Sequence, residues 1–535
     1  MPIDTFGASN TAAANKSIGF GSEIVNAAAA RRRRQAQRAI VNDPFYAAPS
    51  QLVMARARQY LFDVTASPYG AKGDGTHDDT IAIQSAINAA GANGGGIVLF
   101  PPGHYLITAP LQVNYSGIIV QGAGITSGDG GSAIYPSANI DCFVGAPYPT
   151  AETTGFCVRD LAINYAPAST TGGSAIKIQW ADRCWFERLL IGGCFNALTI
   201  GQDGVSSPTI NEVWFDRIDV RDASGAIIDL HGIGGNVFIS NMLATGIKTT
   251  STSYALQYNN SYYDVLWINH IDFESVNGGM NFTCSSASSP GSSLSDFFIS
   301  DIIVDAADGD SALKFATSGT GNIWRGKIRN FWATGQGGGA GGVTCFLNAQ
   351  GGGTLQDLNF SGCNFECSTG EAVGVYGAQY VEFNNCKVYG SQRGFHLTSG
   401  SNITVQACNN GPYAPTGASV VIEAGMGAFY VHDNDFSNSS VAVALNYAST
   451  ATNEISRLEN NLGYNPVGFL TPPTYTAGVA VTNPFPFPVM VVVSGTVGIV
   501  EINGSNTGGT SGNYVVGRGQ TIEPTDTGSW TWFGL

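Results

Sequence analysis

The sequence predicts an all-β chain wound into a parallel β-helix, and three observations carry that prediction. Gly accounts for 70 of 535 residues, hydrophobic residues for 43% and charged residues for only 12%. That balance excludes a disordered chain and suits many short strands joined by tight turns. Secondly, a unit of two short alternating strands around a two-residue polar turn recurs from about Phe156. Copies include CWFERLLIGG (Cys184–Gly193), VWFDRIDVRD (Val213–Asp222), VLWINHIDFES (Val265–Ser275), FFISDIIVDA (Phe297–Ala306) and VEFNNCKVYG (Val381–Gly390), spaced 22 to 32 residues apart. Twelve such units fit between 156 and 466, counting less regular copies near Ile323 and Ile455. A period of one solenoid rung per unit indicates stacked rungs, ~4.8 Å apart. Thirdly, a clean amphipathic helix signal stands at the front of the repeats, where a solenoid needs a cover for its open edge.

Residues 1–60 read differently from the rest. SEIVNAAAARRRRQAQRAIVND (Ser22–Asp43) is Ala-rich and helix-favouring, with arginines at 31–34. It is read as a docking segment that orders against a larger assembly; a solvated arm and a short nucleic-acid patch remain alternatives. PFYAAPSQ (Pro44–Gln51) reads as a linker. GAKGDGT is a turn cluster, and Asp78 and Asp79 are placed to cap a helix running to about Ala90. Ile81, Ile83, Ile87 and the alanines supply its apolar face, and IVLF (Ile97–Phe100) follows as a buried strand. Turn and cap duties explain Asp74, Asp78 and Asp79 without catalysis. The β-helix is expected over 61–466. The remainder, 467–535, alternates short strands with Gly/Asn/Ser turns and reads as a small β-sandwich-like domain.

Charge and motif content narrow the function. A formal net charge of −15 and a pI of about 4.7 disfavour nucleic acid as the main partner. No apolar run approaches a membrane span. The start, MPIDTFGASNTAAANKS, lacks the basic and apolar regions of an export leader, so synthesis in the cytoplasm and reduced cysteines are expected. Cys363, Cys386 and Cys408, spaced 23 and 22 apart, fall on one inward column as core packing. No CxxC pair, Walker A loop, dinucleotide fingerprint or nucleophile elbow is present, and no cofactor or metal is expected.

Aligning the units on the residue after the turn places Ile218, Met242, Ile271, Ile302, Cys363 and Cys386 on one inward column. The next outward column then holds Asp219, Leu243, Asp272, Ile303, Asn364 and Lys387. The one beyond holds Arg221, Thr245, Glu274, Asp305, Glu366 and Tyr389. Glu274 and Asp305 thereby sit on adjacent rungs, ~5 Å apart, with Asp272 ~6.6 Å along the strand from Glu274. Those separations suit a carboxylate pair at a glycosidic bond: ~5 Å for a retaining pair, ~6.5–9.5 Å for an inverting one. Crowded acids also raise one another's pKa. Glu274 is read as general acid, with Asp272 or Asp305 activating water. Tyr262, Tyr263, Trp267 and Trp332 are candidates for stacking on sugar rings or for a subunit interface. Arg221 is a candidate for an acidic sugar, or a partner for Asp219 or Asp222. The same acids could equally be a solvated face, and a one-residue register slip would dissolve the cluster.

The stretch DVTASPYGAKGDGTHDDTIAIQSAINAAGANGGGIVLFPPGHYLI (Asp63–Ile107) resembles the N-terminal signature of the pectate-lyase-like superfamily of right-handed β-helix proteins. The resemblance covers roughly residues 60–466. It speaks to fold rather than chemistry, since lyases, hydrolases, epimerases and phage tailspikes share it. The layout resembles a tailspike, and the C-terminal part is similar in character to the end modules of tail fibres. This resemblance implies a homotrimer whose first 60 residues dock on phage tail or baseplate proteins and whose β-helix binds, and often cleaves, host surface polysaccharide. It implies neither nucleic-acid partners nor membrane insertion. A lyase would need a Lys or Arg base, often with calcium, for which Asp301, Asp305, Asp308 and Asp310 could supply oxygens. A depolymerase, a non-catalytic adhesin and a polysaccharide lyase all stay open.

Overall fold

The computed structural model describes residues 60–534 apart from 127–129, 170, 246–253, 286–291, 308, 336–341, 391, 412, 447–455, 464–468, 486 and 496–497. The chain divides into two units, Met1–Leu61 and Phe62–Leu535. The attachment segment expected at 1–60, with Arg31–Arg34, lies outside the described residues but for Tyr60.

Among the described residues, 31 strands up to Glu459 form one continuous hydrogen-bonded system, and its ladders are parallel. This is a right-handed parallel β-helix. The central rungs contain one long strand each, such as Ile210–Arg221 or Tyr262–Glu274, folded into two arms. A shorter third strand completes each, as in Asn196–Ile200, Ile228–Leu230, Tyr254–Asn259 and Gly278–Cys284.

The corners explain the repeat. The turn expected to take two residues takes one. Asp216 still pairs with Ser240 on the next rung, and Arg217 alone adopts a left-handed conformation, φ 55°. Left-handed residues recur five apart within a rung: Glu212, Arg217 and Asp222 in one, and Asn260, Val265, His270 and Ser275 in another. Between corners, side chains alternate in and out, starting inward. Val213, Phe215, Ile218 and Val220 are thus buried in one rung, and Leu266, Ile268, Ile271 and Phe273 in the next but one. Asn, Asp and Gly dominate the corners because they tolerate positive φ. Inside, like rings stack: Phe186 on Phe215 at 5.0 Å, and Phe360 on Phe383 at 4.8 Å. All ten cysteines are buried and unpaired.

The helix Thr80–Ala92 runs two residues beyond the expected end. It packs against the strands Gly96–Leu99 and Leu111–Val113 and against Ile118–Gln121 of the following rung through Ile83, Ala86, Ile87 and Ala90. Ile81 does not join that face; it is 81% exposed, because two residues turn a helix by about 200°. Asp79 occupies the N-cap position without capping. Its buried carboxylate accepts the amides of Lys72 and Gly73 at 2.7 and 2.9 Å. Asp78 instead accepts the Thr80 amide and the Thr80 and Thr108 hydroxyls. Asp74 accepts the amides of His77 and Thr76, which lower its pKa to about 2. These acids hold the turn together.

From Phe469 to Gly534 two four-stranded antiparallel sheets follow. Val489, Val491, Val493, Ile522 and Trp532 are buried there.

Val265 places a β-branched side chain at φ 54°, where L residues lose ~1–2 kcal/mol. Val265→Asn is expected to stabilise by about 1 kcal/mol, seen as a raised urea midpoint. Asn385→Val, at φ 52°, is expected to lower the midpoint by a similar amount. An unchanged midpoint in both would show that the corners do not set the fold's tolerance.

Candidate functional site

The second arm, between the His270-type and Ser275-type corners, carries the acids. Its register pairs Ile218 with Met242, Met242 with Ile271, and Ile271 with Ile302, as the column alignment requires. One rung was missing from that alignment. Phe331 follows Ile302, and Trp332 pairs with Asn364, so Trp332 and Thr334 stand between the 303–305 rung and the 364–366 rung.

Glu274 and Asp305 are direct register partners. Asp272 sits two residues before Glu274, with Leu243 and Ile303 as its partners above and below; these are 39% and 37% exposed. Burial first, and then the charges of Glu274 and Asp305, raise the Asp272 pKa. One of its carboxylate oxygens is buried with no hydrogen-bond partner among the described residues. Glu366, which the column alignment placed but did not select, is raised by burial and then by the charge of Asp305. Asp305 accepts the Thr334 hydroxyl at 2.5 Å. The arrangement is therefore a line of carboxylates, two of them pushed toward the protonated form, beside exposed apolar side chains. Such a group can donate one proton and activate one water.

The remaining candidates separate. Trp332 lies on the same arm as these acids, its indole NH donating to the Tyr389 hydroxyl at 3.3 Å. Arg221 lies two rungs from Glu274, and its guanidinium is held by Asp219 at 2.6 Å, so it is engaged rather than poised for a sugar. Tyr263 is fully buried, which corrects its assignment as a stacking residue. It fills space over Gly234, where a Cβ would come within 2.8 Å of its ring, and its hydroxyl donates to the His231 carbonyl. Trp267 is 39% exposed, yet it belongs to the first arm, around the His270 corner from Asp272. Its faces are turned to Phe238 and Phe298 in a ladder that begins with Trp185 and Trp214. Only its edge is free, so face-on stacking with a sugar is blocked. Of the suggested calcium acids, Asp308 lies outside the described residues and Asp301 accepts from Asn330. No metal-type cluster occurs among the described residues.

A second group escaped sequence reasoning. His231 lies between Asp229, 2.8 Å from Nε2, and Asp203, 3.0 Å from Nδ1. Burial opposes its charge, but the hydrogen bonds and charges of Asp229 and Asp203 prevail and lift its pKa to about 9. Asp203 comes from a neighbouring rung, so only the fold brings the three together. Near the other end, Glu371, 7% exposed, accepts from Arg393, Tyr376 and His396. Burial opposes its charge, but those donors lower its pKa. That network is satisfied and braces the third strands.

Residues 64–282 match a sequence family described as rhamnogalacturonase A/epimerase, pectate lyase-like, and the chain carries a pectate-lyase-like right-handed β-helix. Among curated proteins, the mannuronan C5-epimerases AlgE6 and AlgE5 of Azotobacter vinelandii are 30% and 29% identical to it, each over 34% of this chain. The matches span only 19% and 17% of their lengths. Among solved structures, a tailspike protein of Escherichia coli bacteriophage HK620 aligns with a TM-score of 0.51, covering 93% of this chain and 99% of that one. Identity there is 10%, so the likeness concerns the fold. The family match contains His231, Asp272 and Glu274 and stops before Asp305 and Glu366.

His231 charges more readily when folded, so its contribution to stability is full below ~pH 6.5 and is lost as pH rises through about 9. Asp229→Asn is expected to bring the His231 titration, followed by NMR, down toward ~6.5. A titration still near 9 in that variant would remove Asp229 as the cause.

Proposed function

We propose that this protein is a phage tailspike that binds a host cell-surface polysaccharide and hydrolyses it at the second-arm acids. Residues 1–60 serve as the virion-attachment segment, three copies assemble, and 467–535 form a C-terminal β domain. In this reading Asp272 protonates the leaving oxygen, and Asp305, oriented by Thr334, activates water. One rung and two residues separate them, ~8 Å on the diagonal, which leaves room for the water of an inverting reaction. Glu274 lies between them and stabilises positive charge developing at the anomeric carbon. Glu366, Trp332 and Tyr389 extend the site along the chain of sugars. Asp272 replaces Glu274 as donor because its carboxyl is the one flanked by Leu243 and Ile303. Its orphaned buried oxygen beside two other acids is the observation that carries this reading.

The test is purified protein on host polysaccharide. Asp272→Asn and Asp305→Asn are each expected to lower kcat ~10²–10⁴-fold while polysaccharide binding persists. A general acid must hold its proton, so the rate should fall as pH rises through the raised Asp272 pKa. Glu274→Gln removes a charge that raises that pKa, so the alkaline limb of kcat/KM should move to lower pH. Cleavage by both Asn variants at the wild-type rate would refute the assignment.

A second reading rests on His231, whose Asp203–His231–Asp229 group lies inside the 64–282 match. Mannuronan C5-epimerases are among the relatives of this chain, and a charged imidazole between two carboxylates suits proton donation to an acidic sugar. On that reading His231→Ala, and not Asp272→Asn, abolishes turnover of a polyuronate.

A further inference from the structure

The first arm holds a feature that the hydrolytic site does not use. The aromatic ladder ends at Phe298, and on the next rung its place is taken by Lys327, whose Nζ lies 5.8 Å from the Phe298 ring centroid. In the neighbouring outward column Asn269 and Ser300 are followed by Arg329. Trp267, Asn269, Phe298, Ser300, Lys327 and Arg329 line a shallow cavity of about 260 Å³. It is smaller than the ~300–1,000 Å³ of drug-sized ligand pockets, which suits a single sugar ring and its substituent.

Two cations set the character of this cavity. The chain carries 39 acidic against 24 basic residues, and most of its described arginines sit on carboxylates. Arg188 pairs with Asp160, Arg217 with Asp216, Arg221 with Asp219, Arg325 with Asp296 and Arg393 with Glu371. Lys327 and Arg329 have no carboxylate partner among the described residues. The acids that come near are already engaged. Asp296 is held by Arg325, Asp301 accepts from Asn330, and Glu382 accepts from Asn359. Two uncompensated cations, exposed on successive outward positions of one strand with the buried Ile328 between them, raise the local potential for an anion. Arg329 supplies a planar fork, Asn269 and Ser300 supply neutral hydrogen-bonding groups, and the exposed ring edges supply apolar contact for C–H groups.

We propose that this cavity binds an anionic sugar of the bound polysaccharide, its carboxylate or sulfate held by Lys327 and Arg329. The inference rests on the glycan-binding reading above, but not on hydrolysis. The acids of the second arm lie around the corner formed by His270, Asp301 and Asn330. The polysaccharide is thus read by charge on one face and cut, on an uncharged stretch, at the other. This assigns to the chain a substrate with acidic residues interspersed among neutral ones.

The test uses the full-length protein and three polymers: polygalacturonate, dextran sulfate and neutral dextran. Wild type is expected to bind at least one anionic polymer at least ten-fold more tightly than dextran. Raising salt from ~0.05 to ~0.5 M should weaken that binding strongly. Lys327→Gln with Arg329→Gln should remove most of the preference, at least ten-fold, with an unchanged circular dichroism spectrum and unfolding midpoint. Preference for polygalacturonate identifies a carboxylate, and preference for dextran sulfate a sulfate. Asp272→Asn with Asp305→Asn should leave the preference intact, so loss of hydrolysis alone does not touch this proposal. Wild-type binding of both anionic polymers no tighter than dextran, or equal preference in the Lys327/Arg329 variant, would overturn it.

Discussion

The two arms of the central rungs are joined by a backbone that turns through one left-handed residue every five positions, as at Glu212, Arg217 and Asp222. Because one corner consumes one residue, the chain re-enters each arm with the same in-out phase, and Ile218, Met242, Ile271, Ile302 and Phe331 stack directly. A second residue in any corner would invert the phase and turn Phe215 or Phe273 toward water, at ~2–3 kcal/mol for each large side chain exposed. The corner residues therefore do more for the fold than any hydrogen-bonded side chain. Some are braced across rungs, as where Arg188 grips Asp160 with both nitrogens at 2.6 and 2.9 Å.

The same constraint creates the chemistry. A ladder with ~4.8 Å between rungs cannot place acids on successive outward positions without crowding their charges. Glu274 and Asp305 are brought together by register, and Asp272 gains its raised pKa from burial beside that pair. Elsewhere many outward charges are paired with a neighbour on the same strand or the next rung, as with Arg221 on Asp219 and Arg325 on Asp296. Two places break this habit in opposite senses. The second arm concentrates negative charge near Asp272, and the first arm leaves Lys327 and Arg329 without carboxylates among the described residues.

Much of this was legible in the sequence. The alternation and the polar corner residues suffice to set the register, which is why Glu274 opposite Asp305 could be read without coordinates. The helix was legible as a helix, but not the orientation of Ile81, since three isoleucines in seven residues cannot all share one face. The corners hid the rest. Positions 267 and 272 are both outward, yet a left-handed residue at His270 rotates them onto different faces. Trp267 therefore cannot reach a sugar over Asp272. Tyr263 precedes the Val265 corner and points inward over a glycine of the previous rung. The less regular rung at 323–335 concealed that Trp332 and Thr334 separate Asp305 from Glu366. His231 finds Asp203 across 28 residues of chain, which no local pattern encodes.

The central claim is hydrolysis at the second arm, and its most direct measurement is digestion of host polysaccharide in ¹⁸O-enriched water, followed by mass spectrometry of the fragments. The account predicts saturated oligosaccharides, each carrying one ¹⁸O at the newly formed reducing end. Fragments with an unsaturated terminus and no solvent oxygen would contradict it and direct attention to a lyase with a Lys or Arg base. Binding to the same polysaccharide without any fragments would contradict it equally, leaving the acids as a charged wall of an adhesin.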